Sequence, residues 1–190
     1  MYNSNLATEM TPDKWLSMEE FNKTQPEDSL YRWLSEYGSM TLHLLHVGLG
    51  QLKVSVISSQ KAALFKEESL FLELPQRRWA YVREVIMHVD NSPWMYGRTI
   101  IPEATFNAGA GQLKLLGDSP LGKVLFDNKK SAREFIEIAK ISPEHHLFPQ
   151  SGDESEHPFR WARRSLFSFN TQPILVQEVF LPECPLKMPD

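Results

Sequence analysis

Two pairs of short apolar runs, each pair joined by a tight turn, constrain this chain more than any other feature. Residues 79–89 are rich in aromatic and β-branched side chains, Asp90-Asn91-Ser92-Pro93 supplies turn chemistry, and residues 94–101 return before Pro102. Residues 163–169 and 174–181 repeat the plan around Asn170-Thr171-Gln172-Pro173, with Pro182 as the stop. Links this short cannot carry a parallel crossover, so both pairs are antiparallel hairpins. Leu52-Lys53-Val54-Ser55-Val56 alternates like a further half-buried strand, and residues 134–138 suit a strand or a helix.

Helical spacing occupies much of the remainder. Trp15, Met18 and Phe21, then Leu30, Trp33, Leu34 and Tyr37, recur at three and four and predict helices over residues 13–21 and 29–37. Ser39 can cap a helix from Met40 that Gly48 and Gly50 break, and Pro120 opens a short helix within residues 119–126. The fold class expected is α+β: one antiparallel sheet with helices packed on one face. A chain of 190 residues buries about 70% of its unfolded surface. One domain over residues 1–190 therefore needs no disulfide or structural metal.

Charge narrows the function. The net charge of −4 argues against a nucleic-acid surface, which carries a basic excess. The acidic excess lies at the front, where residues 1–38 hold seven acids against three bases and the rest balances. Residues 141–160 carry Glu144, Asp153, Glu154 and Glu156 against Arg160, with prolines at 143, 149 and 158, and read as a long surface loop. What remains is mildly basic. Cys184 stands alone, no run approaches a membrane span, and the first residues lack the features of a secretion signal. A cytoplasmic protein with no membrane span is the expectation.

Strand alternation marks two charges. Trp79, Tyr81, Arg83, Val85, Met87 and Val89 share a face, as do Ile174, Val176, Glu178 and Phe180. Arg83 and Glu178 are the one charge in each row, and a charge on a buried face must be paired, hydrated or used on a ligand. They could pair with each other or with other residues, or their rows could face solvent. Arg98 lies in a similar row with Trp94, Tyr96 and Ile100, so one arginine could serve a ligand while the other pairs internally. Of Arg163 and Arg164, one on each face of a strand, at least one is expected to face solvent. His145, His146 and His157 have no recognised metal-ligand spacing, and no metal site is expected there. His43 and His46 read as packing or surface residues, Cys184 has no evident activating partner, and Gly109-Ala110-Gly111 reads as a flexible turn.

The strands also carry a recognisable pattern. Trp79-Ala80-Tyr81-Val82-Arg83-Glu84-Val85, Pro93-Trp94 and Gly97-Arg98-Thr99-Ile100-Ile101-Pro102 resemble the chorismate pyruvate-lyase family. The likeness continues in order through Leu116-Gly117, Ser119-Pro120-Leu121-Gly122, Leu125-Phe126, Arg133-Glu134-Phe135-Ile136-Glu137-Ile138, Arg163-Arg164-Ser165, Pro173-Ile174-Leu175-Val176 and Glu178-Val179-Phe180-Leu181-Pro182. Ser39-Met40-Thr41 matches an N-terminal element, so the resemblance spans most of residues 39–186, with a looser likeness before Ser39.

This resemblance implies a ligand cavity buried under flap-like segments. It implies an enzyme that removes pyruvate from chorismate to leave 4-hydroxybenzoate, the ring precursor of ubiquinone. Arg83 is implied to hold the ring carboxylate, with the backbone amides of Met40 and Leu121 as further donors, and Glu178 to meet the hydroxyl at the far end. Arg98 is assigned to the enolpyruvyl carboxylate, with an internal salt bridge as the alternative. Aromatisation drives the reaction, so the chemistry requires neither cofactor nor metal, and the expected state is a monomer. The competing reading is a non-catalytic aromatic-acid sensor related to the effector domains of transcription regulators. The acidic segment before Ser39 is too short for a winged helix and wrongly charged for DNA.

Overall fold

The computed structural model describes residues 10, 12–48, 50–76, 78–148 and 159–186. Its strands are β1 (Leu16–Ser17), β2 (Leu52–Ala63), β3 (Trp79–Val89), β4 (Ser92–Pro102), β5 (Ser131–Ile141), β6 (Arg160–Phe169) and β7 (Gln172–Phe180). They form one antiparallel sheet in the order β1-β5-β6-β7-β4-β3-β2. Both hairpins form where expected, with tighter turns. Asp90, Asn91, Asn170 and Thr171 all take positive φ, the geometry of two-residue turns that match strand twist. Ser92 and Gln172 consequently already belong to strands.

The helices are α1 (Met18–Lys23), α2 (Asp28–Leu34), α3 (Met40–Gly48), α4 (Lys66–Phe71), α5 (Glu103–Asn107) and α6 (Leu121–Asp127), with a 3-10 turn at Ala110–Leu116. Helix α1 starts later than its apolar spacing suggests because the chain before it pins β5. The Asp13 carboxylate accepts from the Ser142 amide and hydroxyl, and Leu16 and Ser17 pair with Ile138 and Glu137. Ser17 and Glu20 then cap α1 reciprocally. Helix α2 ends at Leu34 and not at Tyr37, and the carbonyls of residues 36–38 turn to two buried arginines described below.

Alternation divides the sheet into two covered faces. On one, α1 to α3 bury Phe21, Leu30, Trp33 and Leu44 against Val85, Met87, Met95, Ile138 and Phe180. Leu113, Leu121 and Leu125 of the 3-10 turn and α6 pack on Tyr81, Ile101, Phe167 and Ile174 of the same face. On the opposite face α4, which sequence spacing does not reveal, and its flanks set Leu64 and Leu72 on Ala80, Val82, Ile100 and Leu175. Leu147 and Phe148, in the turn after β5, cover Ala139, Ala162 and Val179 there. Of the long loop expected at residues 141–160, Ile141 ends β5, residues 142–148 pack in this way, Arg160 opens β6, and residues 149–158 lie outside the described residues.

Candidate functional site

Sheet register assembles a pocket on the helix-rich face. Arg83 pairs with Thr99 and Thr99 with Val176; one step along, Val85 pairs with Gly97 and Gly97 with Glu178. These residues form the floor. Arg83 and Glu178 thus stand two strands apart, about 10 Å across the sheet, with Gly97 and Thr99 between them. Met40 and Thr41 from α3, with Pro120 and the first residues of α6, Leu121 and Gly122, form the roof. The two helix starts touch: a Cβ on Gly122 would lie 2.7 Å from Ser39 Oγ and 3.1 Å from Thr41 Oγ1. Four of the residues named from sequence, Arg83, Glu178, Met40 and Leu121, therefore line one pocket.

Arg83 is buried, and its Nη2 donates to the carbonyls of Gly117 (2.9 Å) and Ser119 (3.1 Å). Gly117 has φ +50°, which suits glycine and turns its carbonyl into place. Arg83 has no ion-pair partner among the described residues. Burial lowers its proton affinity, with Tyr81 and Asp118 opposing the shift. Glu178 does not pair with Arg83. Its Oε2 accepts from Nε of Arg163, the neighbour in register on β6, while Arg163 Nη1 donates to Glu36 O at 2.7 Å. The expected solvent-facing member of Arg163 and Arg164 does not exist, because both sheet faces are covered and both side chains are buried.

A second guanidinium lines the pocket unannounced by strand alternation. Arg133 sits on β5 beside a register shift between Arg133 and Phe135, which moves it onto the pocket face. Its Nη1 donates to Glu36 O (3.3 Å), Tyr37 O (2.5 Å) and Gly38 O (3.2 Å), and its guanidinium rests over the edge-to-face pair of Phe126 and Phe167, 4.9 and 4.8 Å from their centroids. Burial first, then the positive charge of Arg163, lowers its pKa to about 10. The pattern signal that could have marked it is the pair of phenylalanines, Phe126 and Phe167, over whose rings it sits.

Arg98 is elsewhere. It points to the opposite face, where Nε and Nη2 grip Glu68 at 2.7 and 3.2 Å and Nη1 reaches Glu84 at 3.1 Å. The assignment of Arg98 to a ligand carboxylate is corrected to the internal salt bridge. Its row with Tyr96 and Ile100 belongs to that second face. Beside it Arg164 binds Glu137 (2.6 Å) and Glu67 (2.9 Å), and Glu67 also meets His145 Nε2 at 3.1 Å. Glu67, His145 and His146 hold ligand atoms within 4.8 Å of one another, a gathering the sequence did not foretell. Their bonding is that of an ion-pair network. The Leu147 amide donates to His145 Nδ1, so a neutral His145 carries its proton on Nε2, the nitrogen facing Glu67, and Arg164 already occupies the carboxylate. Cys184 is buried and its thiol is pushed up to about 12 by burial, consistent with an inert packing role.

Comparison with known proteins fits this geometry. Residues 11–186 match the family model described as chorismate lyase, so the match reaches well before Ser39. The chain is 34% identical over 184 residues to a chorismate pyruvate-lyase of Yersinia enterocolitica, covering 95% of each chain. It is 35% identical over 179 residues to one of Photorhabdus laumondii, covering 92% of each. Among solved structures, the effector domain of PhnF from Mycobacterium smegmatis aligns with a TM-score of 0.53 at 11% identity, covering 77% of this chain and 90% of that one. The C-terminal domain of the histidine utilization repressor from Pseudomonas syringae aligns with 0.52 at 10%, covering 74% and 96%. At such identities these two share the fold.

Proposed function

The chain belongs to the chorismate lyase family, and from that premise we propose that it converts chorismate to pyruvate and 4-hydroxybenzoate, the ring precursor of ubiquinone. One observation carries the reading: a pocket with an arginine that has no anionic partner among the described residues at one end and a carboxylate held by a second arginine at the other. Arg83 receives the ring carboxylate as a charge-assisted pair through the N–H groups that Gly117 and Ser119 leave free, and the amides of Met40 and Leu121 complete its solvation. Glu178 meets the ring hydroxyl with the oxygen that Arg163 leaves free.

In the reaction the ring carbon bearing the hydroxyl loses its proton, the neighbouring carbon–oxygen bond to the enolpyruvyl group breaks, and the ring becomes aromatic. The released enolpyruvate takes up a proton at its terminal carbon and becomes pyruvate. The protein's contribution is to fix the dianion under α3 and α6, exclude water and place charge where it develops. The proposal includes a cytoplasmic monomer; no described helix is long and apolar enough to cross a membrane.

The test is pyruvate release from chorismate by purified protein, with a chelator control. Arg83→Ala and Glu178→Ala are expected to remain folded and to lose about 100-fold or more of kcat/KM, the scale of one charge-assisted contact or more. Near-normal turnover by both variants would remove the site assignment. Binding without turnover in the unaltered protein would favour the sensor reading, which rests on a shared fold.

A further inference from the structure

Chorismate has two carboxylates, and Arg83 accounts for one. The second sits on the enolpyruvyl group, attached to the ring carbon beside the hydroxyl, and so belongs near the Glu178 end of the pocket. Arg98 lies on the other face of the sheet with Glu68 and Glu84. Arg163 does not line the pocket; it pairs with Glu178 and Glu36 O, and its buried Nη2 has no partner among the described residues. Arg133 is different. It lines the pocket, forms no ion pair among the described residues, and spends Nη1 alone on three carbonyls. Among the described residues its buried Nε has no partner, and its hydrogen bonds all run through Nη1. Its guanidinium rests over the rings of Phe126 and Phe167, which restricts how it can turn in the pocket.

Resting on the lyase reading above, we propose that Arg133 binds the enolpyruvyl carboxylate of the substrate and escorts it as the carbon–oxygen bond breaks. Its lowered pKa, caused by burial and by Arg163, fits a cation that lacks an anion. Glu36 and Glu178 also act on it and partly offset that effect. Such a contact favours substrate over the aromatic product, which has lost this carboxylate, and so acts on turnover more than on product retention.

The experiment compares Arg133→Met and Arg133→Lys with the unaltered protein, after thermal melts confirm folding. Readouts are kcat and KM for chorismate and Kd for two probes, 4-hydroxybenzoate and 3-(carboxymethoxy)-4-hydroxybenzoate, which keeps a second carboxylate beside the hydroxyl. Arg133→Met is expected to lose about 10- to 150-fold in kcat/KM, the scale of a charged hydrogen bond. It should lose a comparable factor for the dicarboxylate and less than about threefold for 4-hydroxybenzoate. Arg133→Lys should recover part of the loss, since it keeps the charge without the fork. Equal loss for both probes would reduce Arg133 to a support for residues 36–38 and overturn the inference. So would unchanged kcat/KM in Arg133→Met while Arg83→Ala is impaired, an outcome that leaves the lyase reading standing. If Arg133→Met does not fold, the same comparison in Arg133→Lys decides. No turnover in the unaltered protein overturns both.

Discussion

The two faces of the sheet use the same side chain in opposite ways. On the face covered by α4, Arg98 is gripped by Glu68 and Glu84 and Arg164 by Glu67 and Glu137. On the pocket face, Arg83 and Arg133 meet carbonyls, and the carboxylate present, Glu178, is taken by Arg163. The proton affinities follow the partners. Arg98 is buried, which lowers its affinity, yet Glu68 together with Glu84 and Tyr96 outweighs burial and raises it. Burial dominates at Arg83 and Arg133 and lowers theirs. A buried charge with its counter-ion in the chain holds structure together, whereas one without is a demand that a ligand can meet. The pocket's excess of two positive charges equals the charge of a dicarboxylate.

The largest expected effect comes from breaking the compensated face. Arg98→Ala strands Glu68 and Glu84 and is expected to cost about 3–5 kcal/mol of stability, measured by urea denaturation, while the folded fraction keeps its kcat. A large loss of kcat with stability intact would mean that the two faces are not divided in this way. Arg164→Ala should cost less, about 1–3 kcal/mol, because Glu67 and Glu137 retain partial exposure; 4-hydroxybenzoate affinity should not move.

Acid should attack the same face. At Glu68 burial pushes the pKa up, but His146, Arg98 and the Phe65 amide together outweigh it and the result lies below 4.5. A carboxylate whose folded pKa is depressed stabilises the fold fully above the unfolded value, and that contribution fades as pH falls below 4.5 through the folded pKa. Acid denaturation followed by circular dichroism should therefore steepen below about pH 4.5, and Glu68→Gln should flatten that slope. The smallest effect sits beside the pocket. Burial lowers the pKa of His43 below 6.5, against the pull of Glu36. The unfolded chain then binds the proton more readily, so stability should decline as pH falls below 6.5 towards the folded pKa, and His43→Gln should remove the decline.

Much of this division was legible in the sequence and part was not. Alternation placed Arg83 and Glu178 correctly because their strands run regularly around them; β3 and β4 shift register only at Met87 and His88, beyond Arg83. Arg133 escaped because a bulge resets the alternation of β5 within two residues of it. The latter half of β2 escaped because an edge strand with polar residues on both sides, such as Ser58, Ser59, Gln60 and Lys61, has no apolar stripe. The partners of Arg98 come from α4 and from the facing strand, and a single strand's pattern records neither.

The most direct test of the account is calorimetric titration of 4-hydroxybenzoate into the unaltered protein, Arg83→Gln and Arg98→Gln, each with its melting temperature. Arg83→Gln is expected to lose about 100-fold in affinity with a melting temperature near that of the unaltered protein. Arg98→Gln should bind normally and melt several degrees lower. Normal affinity in Arg83→Gln, or lost affinity in a folded Arg98→Gln, would contradict it.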